Sequence, residues 1–150
     1  MTKSPVERMV DTFTAYVKAE LPALIIAANS GKAVAAPALK KIEKTVKVDT
    51  QYFPSAAVNL DSVELSEAGP GALRVDAAVD LAIFATDTKP ERLSAFVDRY
   101  LDAAIDLAAD GTMGNSEFYL RAERADKGIE ADGTRGWALV AFTIWAEVNF

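Results

Sequence analysis

The chain has 150 residues, 51% hydrophobic and 25% charged, with 22 acidic against 16 basic side chains and a net charge of −6. That balance suits one globular domain over residues 1–150 and argues against general affinity for nucleic acid or anionic lipid, both of which favour basic surfaces. Cysteine and histidine are both absent, which removes disulfides, thiolate chemistry, serine–histidine triads and His-based metal sites, and leaves only carboxylate or lysine chemistry.

Met1–Ser4 runs straight into a helix cap with no basic-then-apolar leader. The apolar run Leu21–Ala28 is too short to span a bilayer. The expectation is a protein made and retained in a cytoplasm. Ser4-Pro5-Val6-Glu7 matches a capping box with proline at the first helical position. Val6, Met9, Val10, Phe13 and Val17 recur at helical spacing, which predicts an amphipathic helix to about Glu20. Pro22 should bend or restart it, and Asn29-Ser30-Gly31 should end the segment. In residues 32–55, Leu39, Ile42 and Val46 suggest a helical turn, whereas Thr45–Asp49 reads as a strand.

Val58 and Leu60 share one parity and Val63 and Leu65 the other, which predicts a strand with a bulge near Asp61-Ser62. After the Gly69-Pro70-Gly71 turn, Leu73, Val75, Ala77, Val79, Leu81, Ile83 and Ala85 alternate with Arg74, Asp76 and Asp80 opposite, completing a hairpin. Thr88-Lys89-Pro90-Glu91 reads as a second capping box. Leu93, Phe96, Val97, Tyr100, Leu101, Ala104, Ile105 and Ala108 then form a core stripe, and Gly111 sits where a C-terminal cap belongs. Phe118–Arg124 reads as a strand, Asp126–Thr134 as a polar loop and Arg135–Phe150 as a final strand. The order α-β-β-α-β-β predicts an α+β two-layer sandwich, a mostly antiparallel sheet with helices on one face.

The final strand carries the main functional signal. Ala138, Val140, Phe142, Ile144, Ala146 and Val148 line one face, and Trp137, Leu139, Ala141, Thr143 and Trp145 make the other nearly as apolar. A strand apolar on both faces is covered twice. A chain this short seldom supplies both covers, so Phe84, Trp137, Leu139, Trp145 and Phe150 are candidate subunit-interface residues; packing within the chain's own core is the alternative reading.

Asp98, Asp102, Asp106 and Asp110 recur every four residues, a spacing at which like charges cost a helix about 0.2–0.5 kcal/mol per pair. They read as a solvated face or as an acidic lumen or partner surface; a cation site from two of them would be a weak cage. Lys40, Lys41, Lys44 and Lys47 form a basic patch without the interleaved aromatics of a single-strand platform. It is a solvated face or a contact for an acidic neighbour, including the Asp stripe of another copy. Asp76 and Asp80 share a strand face and are the one conceivable carboxylate pair for a small hydrolytic or ligand-binding domain. No phosphate-binding glycine fingerprint is present. No cofactor and no metal are expected.

The amphipathic first helix, the Phe53-Pro54 turn, the strand running into a helix (LRVDAAVDLAIFATDTKPERLSAFVDRYLDAAIDL) and the closing strand (GWALVAFTIWAEVNF) together resemble the tail terminator proteins of tailed bacteriophages and related particles. The resemblance covers most of the chain and rests on element order and texture. It implies a virion structural protein of the tail or neck, assembled in the host cytoplasm and without catalytic residues. Such a protein forms a homo-oligomeric ring, a hexamer in that family, that caps the tail tube, stops its polymerisation and docks the head–neck connector. DNA would pass its acidic lumen without specific binding, and no membrane is involved. Asp126, Lys127, Glu130, Asp132 and Arg135 form a candidate docking loop for tube or connector. Another head–tail connector, minor tail or baseplate role is the alternative within the same assembly class.

Overall fold

The structure, a computed structural model, describes residues 4–44, 53–114 and 117–149. Helix α1 (Pro5–Asn29) is followed by strands β1 (Lys41–Lys44), β2 (Ser55–Gly69) and β3 (Ala72–Thr86), helix α2 (Pro90–Asp106), and strands β4 (Tyr119–Ile129) and β5 (Arg135–Asn149). The strands make one sheet in the order β1-β2-β3-β5-β4, antiparallel except for the β1–β2 pair. The two helices pack on each other and on one face of the sheet, as the α+β layering predicts.

Alternation explains the core. Val75, Ala77, Val79, Leu81, Ile83 and Ala85 of β3 pair with Ala146, Ile144, Phe142, Val140, Ala138 and Gly136 of β5 across one face. Against this inner face α1 sets Met9, Phe13, Val17 and Leu21, and α2 sets Leu93, Val97, Tyr100 and Ala104. The Phe13 and Phe142 rings meet at 5.2 Å between centroids, tilted by 55°, within the favoured range for aromatic pairs. The expected bulge is present: the β2–β3 register shifts between Leu60 and Ser62, so Asp61 is the extra residue and Val63 and Leu65 return to the inner face.

Several expectations need correction. Helix α1 does not stop at Glu20 but runs through Pro22. A proline inside a helix forfeits a backbone bond at a cost of about 3 kcal/mol; Leu21 and Ile25, both buried, hold the second half of the helix on the core. Ile42 lies in strand β1 rather than in a helical turn, pairing beside Ala56. Val46, Lys47 and the strand reading of Thr45–Asp49 fall outside the described residues, as does Phe150. At the first capping box the N-cap bond forms, with Ser4 Oγ accepting from Glu7 N at 3.2 Å. At the second it does not: Lys89 is the N-cap and gives no side-chain cap bond. Asp87 takes over that end, accepting from Lys89 N at 2.9 Å and from Arg92 Nε at 2.8 Å. Its carboxyl is held below the usual carboxylate range, chiefly by the Arg92 bond and then by the Lys89 amide.

Two tyrosines tie the helical layer to the loops. Tyr16 donates to Leu107 O at 2.8 Å, and the buried Tyr100 donates to Pro37 O at 2.6 Å. Burial raises both phenols above their ordinary pKa, so these bonds keep their proton throughout the neutral range. Asn29 uses both ends of its amide on the Ala36 backbone, at 2.8 and 3.0 Å, and closes the loop after α1.

Candidate functional site: the outer face of the sheet

The face opposite the helices carries the residues singled out on β5. Trp137, Leu139, Ala141, Thr143 and Trp145 point away from the core, beside Phe84, Ala82, Asp80, Ala78 and Asp76 of β3 and Gly128, Asp126, Arg124, Arg121 and Tyr119 of β4. Both helices lie on the other side, and among the described residues no element covers this one. Trp137, Leu139, Trp145 and Phe84 are half-buried, sheltered by their sheet neighbours alone.

The surface has three zones. At one end Phe84 and Trp137 sit side by side, with Ala82 and Leu139 in the next row. Trp137 lies over the β4 backbone: a Cβ placed on Gly128 would sit 2.6 Å from Trp137 Cζ2. Glycine is therefore required there by close approach rather than by a left-handed φ. At the other end Trp145 stacks on Tyr119 at 4.2 Å and 18°, and the Arg74 guanidinium lies 4.3 Å from the Trp145 ring centroid. That stack presents an aromatic plate with a cation on one side.

Between the two aromatic ends runs a charged middle. Asp80 sits close to Asp61 and Arg124, and its carboxyl is pushed up by burial first, then by Asp61, with Arg124 opposing. Arg74 is bonded to Asp76 at 3.1 Å and Arg121 to Glu123 at 2.5 Å. A depression of about 290 Å³ lies between these pairs, over Ser62, Ala78 and Thr143. Its cations are already matched by anions, so it offers no net charge for an anionic ligand.

The carboxylate pair considered for hydrolysis does not assemble. Asp76 is neutralised by Arg74, and four residues of strand put the Asp76 and Asp80 backbones about 13 Å apart. Carboxyls that share a glycosidic bond stand about 5–9.5 Å apart. Among the described residues, no group of three or more Asp, Glu, His or Cys could hold a metal ion. No helix among them is long and apolar enough to cross a membrane.

The acidic stripe is shorter than its spacing suggests. Asp98 is engaged by Lys127 Nζ at 2.5 Å. Helix α2 ends at Asp106, so Asp110 lies in the turn beyond it, close enough to Tyr16 to raise that phenol together with Glu20. Like charges near the negative end of the helix dipole disfavour a further turn. Asp102, Asp106 and Asp110 remain exposed. In the basic patch, Lys44 pairs with Asp11 at 2.6 Å and Lys41 with Glu43 at 3.4 Å, both within the chain.

The candidate docking loop also contracts. Asp126 and Lys127 belong to β4 and Arg135 opens β5, leaving Glu130–Thr134 as the connection. It is a hydrogen-bonded turn: Glu130 N donates to Arg135 O, Gly133 N to Glu130 O, and Thr134 N to Asp132 Oδ1 at 3.0 Å. The Thr134 bonds hold the Asp132 carboxyl below its ordinary range. The polar composition that suggested a longer loop belongs to an edge strand, exposed on its outer side.

Sequence reasoning missed three participants. Tyr119 and Arg74 join Trp145 only through cross-strand register, and Gly128 is tied to Trp137 in the same way. Leu60, Val63 and Leu65 of β2 point to the helix side yet remain 37%, 37% and 62% exposed, while their β3 partners Val79, Ala77 and Val75 are buried, so the cover over β3 does not extend across this stretch of β2.

No family model matches this sequence, and no curated protein matches it either. Among solved structures, the chain is similar to a chain of the virion of the native gene transfer agent (GTA) particle. That match has a TM-score of 0.46 and 15% identity, over 88% of this chain and 98% of that one.

Proposed function

We propose that this protein is a structural subunit of a tailed-phage-like particle, a tail terminator. Its copies form a ring, a hexamer by resemblance, that caps the tail tube, stops its polymerisation and gives the head–neck connector a docking face. The observation that carries this reading is the uncovered outer face of β5 and β3, where Trp137, Leu139, Trp145 and Phe84 lie opposite a face already closed by the helices. Large aromatics on an open sheet face are the kind of anchor that interfaces between chains use. The order of elements and the texture of the strands support the family reading.

Under this reading the outer face meets neighbouring protein in the particle, whether tube, connector or another copy. The exposed Asp102, Asp106 and Asp110 with the net charge of −6 would give the lumen a sign that repels phosphate. DNA then passes without being held. The protein works in the neck or tail of the virion, after assembly in the host cytoplasm. Electron micrographs of particles assembled without it test the role: abnormally long, headless tubes are expected. Tails of normal length with a defect elsewhere would move it to a connector, minor tail or baseplate position.

A further inference from the structure

A pattern runs across β5 on the outer face. In the middle row Ala141 has Asp80 of β3 on one flank and Arg124 of β4 on the other. One row to one side, Leu139 lies between Ala82 and Asp126; one row to the other, Thr143 lies between Ala78 and Arg121. The β3 flank of these rows is small or acidic, and the β4 flank is charged throughout. A depression of about 290 Å³ lies over Ser62, Ala78 and Thr143. Arg124 is exposed and salt-bridged to no described residue, while Asp80 has the Asp61 charge beside it.

Symmetry decides how a second copy could close this face. A two-fold axis across the strands returns β3 over β3 at whatever row it passes. Asp80 and Asp61 would then be covered by a strand whose one cation, Arg74, is already bonded to Asp76, and covered charge without a partner is costly. A two-fold axis along β5 keeps every row at its own level and sets the β3 of each copy over the β4 of the other. Asp80 then faces Arg124 twice, the depression over Ala78 receives Arg121, and Ala82 leaves room for the hydrated Asp126 carboxylate. Ala141 on the axis is small enough for the sheets to approach to their usual separation of about 10 Å. Packed sheets keep their strands within about 30° of each other, so the row match holds best at the centre. Towards the ends, Trp137 with Phe84, and Trp145, meet their counterparts as aromatic clusters.

Taking from the proposed function that another chain covers this face, we infer that the free protein covers it with a second copy of itself, paired about a two-fold axis along β5 so that Asp80 of each copy meets Arg124 of the other. An isologous contact of this kind stops at two chains and builds no ring. Five rows of three strands span about 27 by 14 Å, small for a stable interface. The pair is therefore reversible, and it gives up the face when the particle's own partner takes it.

The test is sedimentation equilibrium at concentrations up to about 1 mM, which reaches even a millimolar Kd, with circular dichroism confirming the fold of each variant. Wild type should approach twice the 16.1 kDa chain. Asp80→Arg and Arg124→Asp should each weaken self-association by about tenfold or more. Mixed one to one they should pair again, because each then offers the charge that the other lacks. A wild type that stays a single chain, a variant that associates as well as wild type, or a mixture that stays single overturns the pairing. Each of these leaves the terminator role standing, since that is tested on the particles. Should either variant fail to fold, Thr143→Cys decides. The chain has no cysteine of its own, and the axis holds Thr143 of both copies at one level. A bismaleimide able to span about 10 Å between packed sheets should then link two chains, and failure to link them overturns the pairing.

Discussion

Gly128→Ala tests how the outer face is built. The new Cβ would lie 2.6, 2.7 and 2.9 Å from Cζ2, Cε2 and Nε1 of Trp137. These atoms sit in the body of the indole, so the ring must lift off the β4 backbone as a unit. Overfilling a well-packed site costs about 1–3 kcal/mol. Trp137 is half-buried on an open face, so it can swing out only by giving up its contact with β4, which puts the cost at about 1.5–2 kcal/mol, the middle of that range. Reduced unfolded-state freedom returns about 0.4–1 kcal/mol on replacing glycine. The net expectation is a loss of about 1 kcal/mol, equivalent to about 2–4 °C in Tm for a chain of this size. In urea the midpoint should move down by about 0.5 M with the slope unchanged. In a Trp145→Phe background, emission from Trp137 should shift to the red as the indole enters water. An unchanged midpoint with unmoved emission would refute the close approach of Trp137 to β4.

Four further outcomes follow from the same contacts. Phe142→Ala, which empties the inner face against Phe13, should cost about 3–5 kcal/mol in chemical unfolding, against little change for Thr143→Ala on the outer side. Ser4→Ala should lose about 1 kcal/mol through the α1 cap, seen as a lower Tm. Asp80 has a raised folded pKa, so its unfavourable ionisation weighs on stability as pH rises through that value and is absent below the ordinary carboxylate range. Asp80→Asn should therefore raise Tm at neutral pH and leave it unchanged near pH 3. Asp87 has the opposite sign: its folded pKa is lowered, so its contribution is present above the ordinary range and lost as pH falls through the folded value. Asp87→Asn should lower Tm at neutral pH and converge with wild type in acid.

What could be read in advance depended on how local its cause was. The inner stripe of β3 and the bulge at Asp61 are written in residue parity, which needs no knowledge of partners. The apolar outer side of β5 was legible for the same reason. Strand β1 was not: Ile42 is the one apolar residue in Lys41–Lys44, and its conformation comes from pairing with a distant segment, Ser55–Val58. The polar end of β4 was misread because an exposed edge strand has loop-like composition. At α2 the Thr88 box lost to Asp87, which offers a carboxylate to both the Lys89 amide and Arg92. The exposure of Leu60, Val63 and Leu65 depends on how far the cover over β3 extends across the sheet, which no local pattern encodes.

The chain has two tryptophans, Trp137 and Trp145, and both lie on the outer face. Their emission and its quenching by acrylamide therefore report on that surface. Both should be followed as the isolated chain assembles with itself and then with tail-tube protein. A shift to the blue with loss of quenching is expected once the face is covered. Complete assembly with both signals unchanged would contradict the claim that another chain closes it.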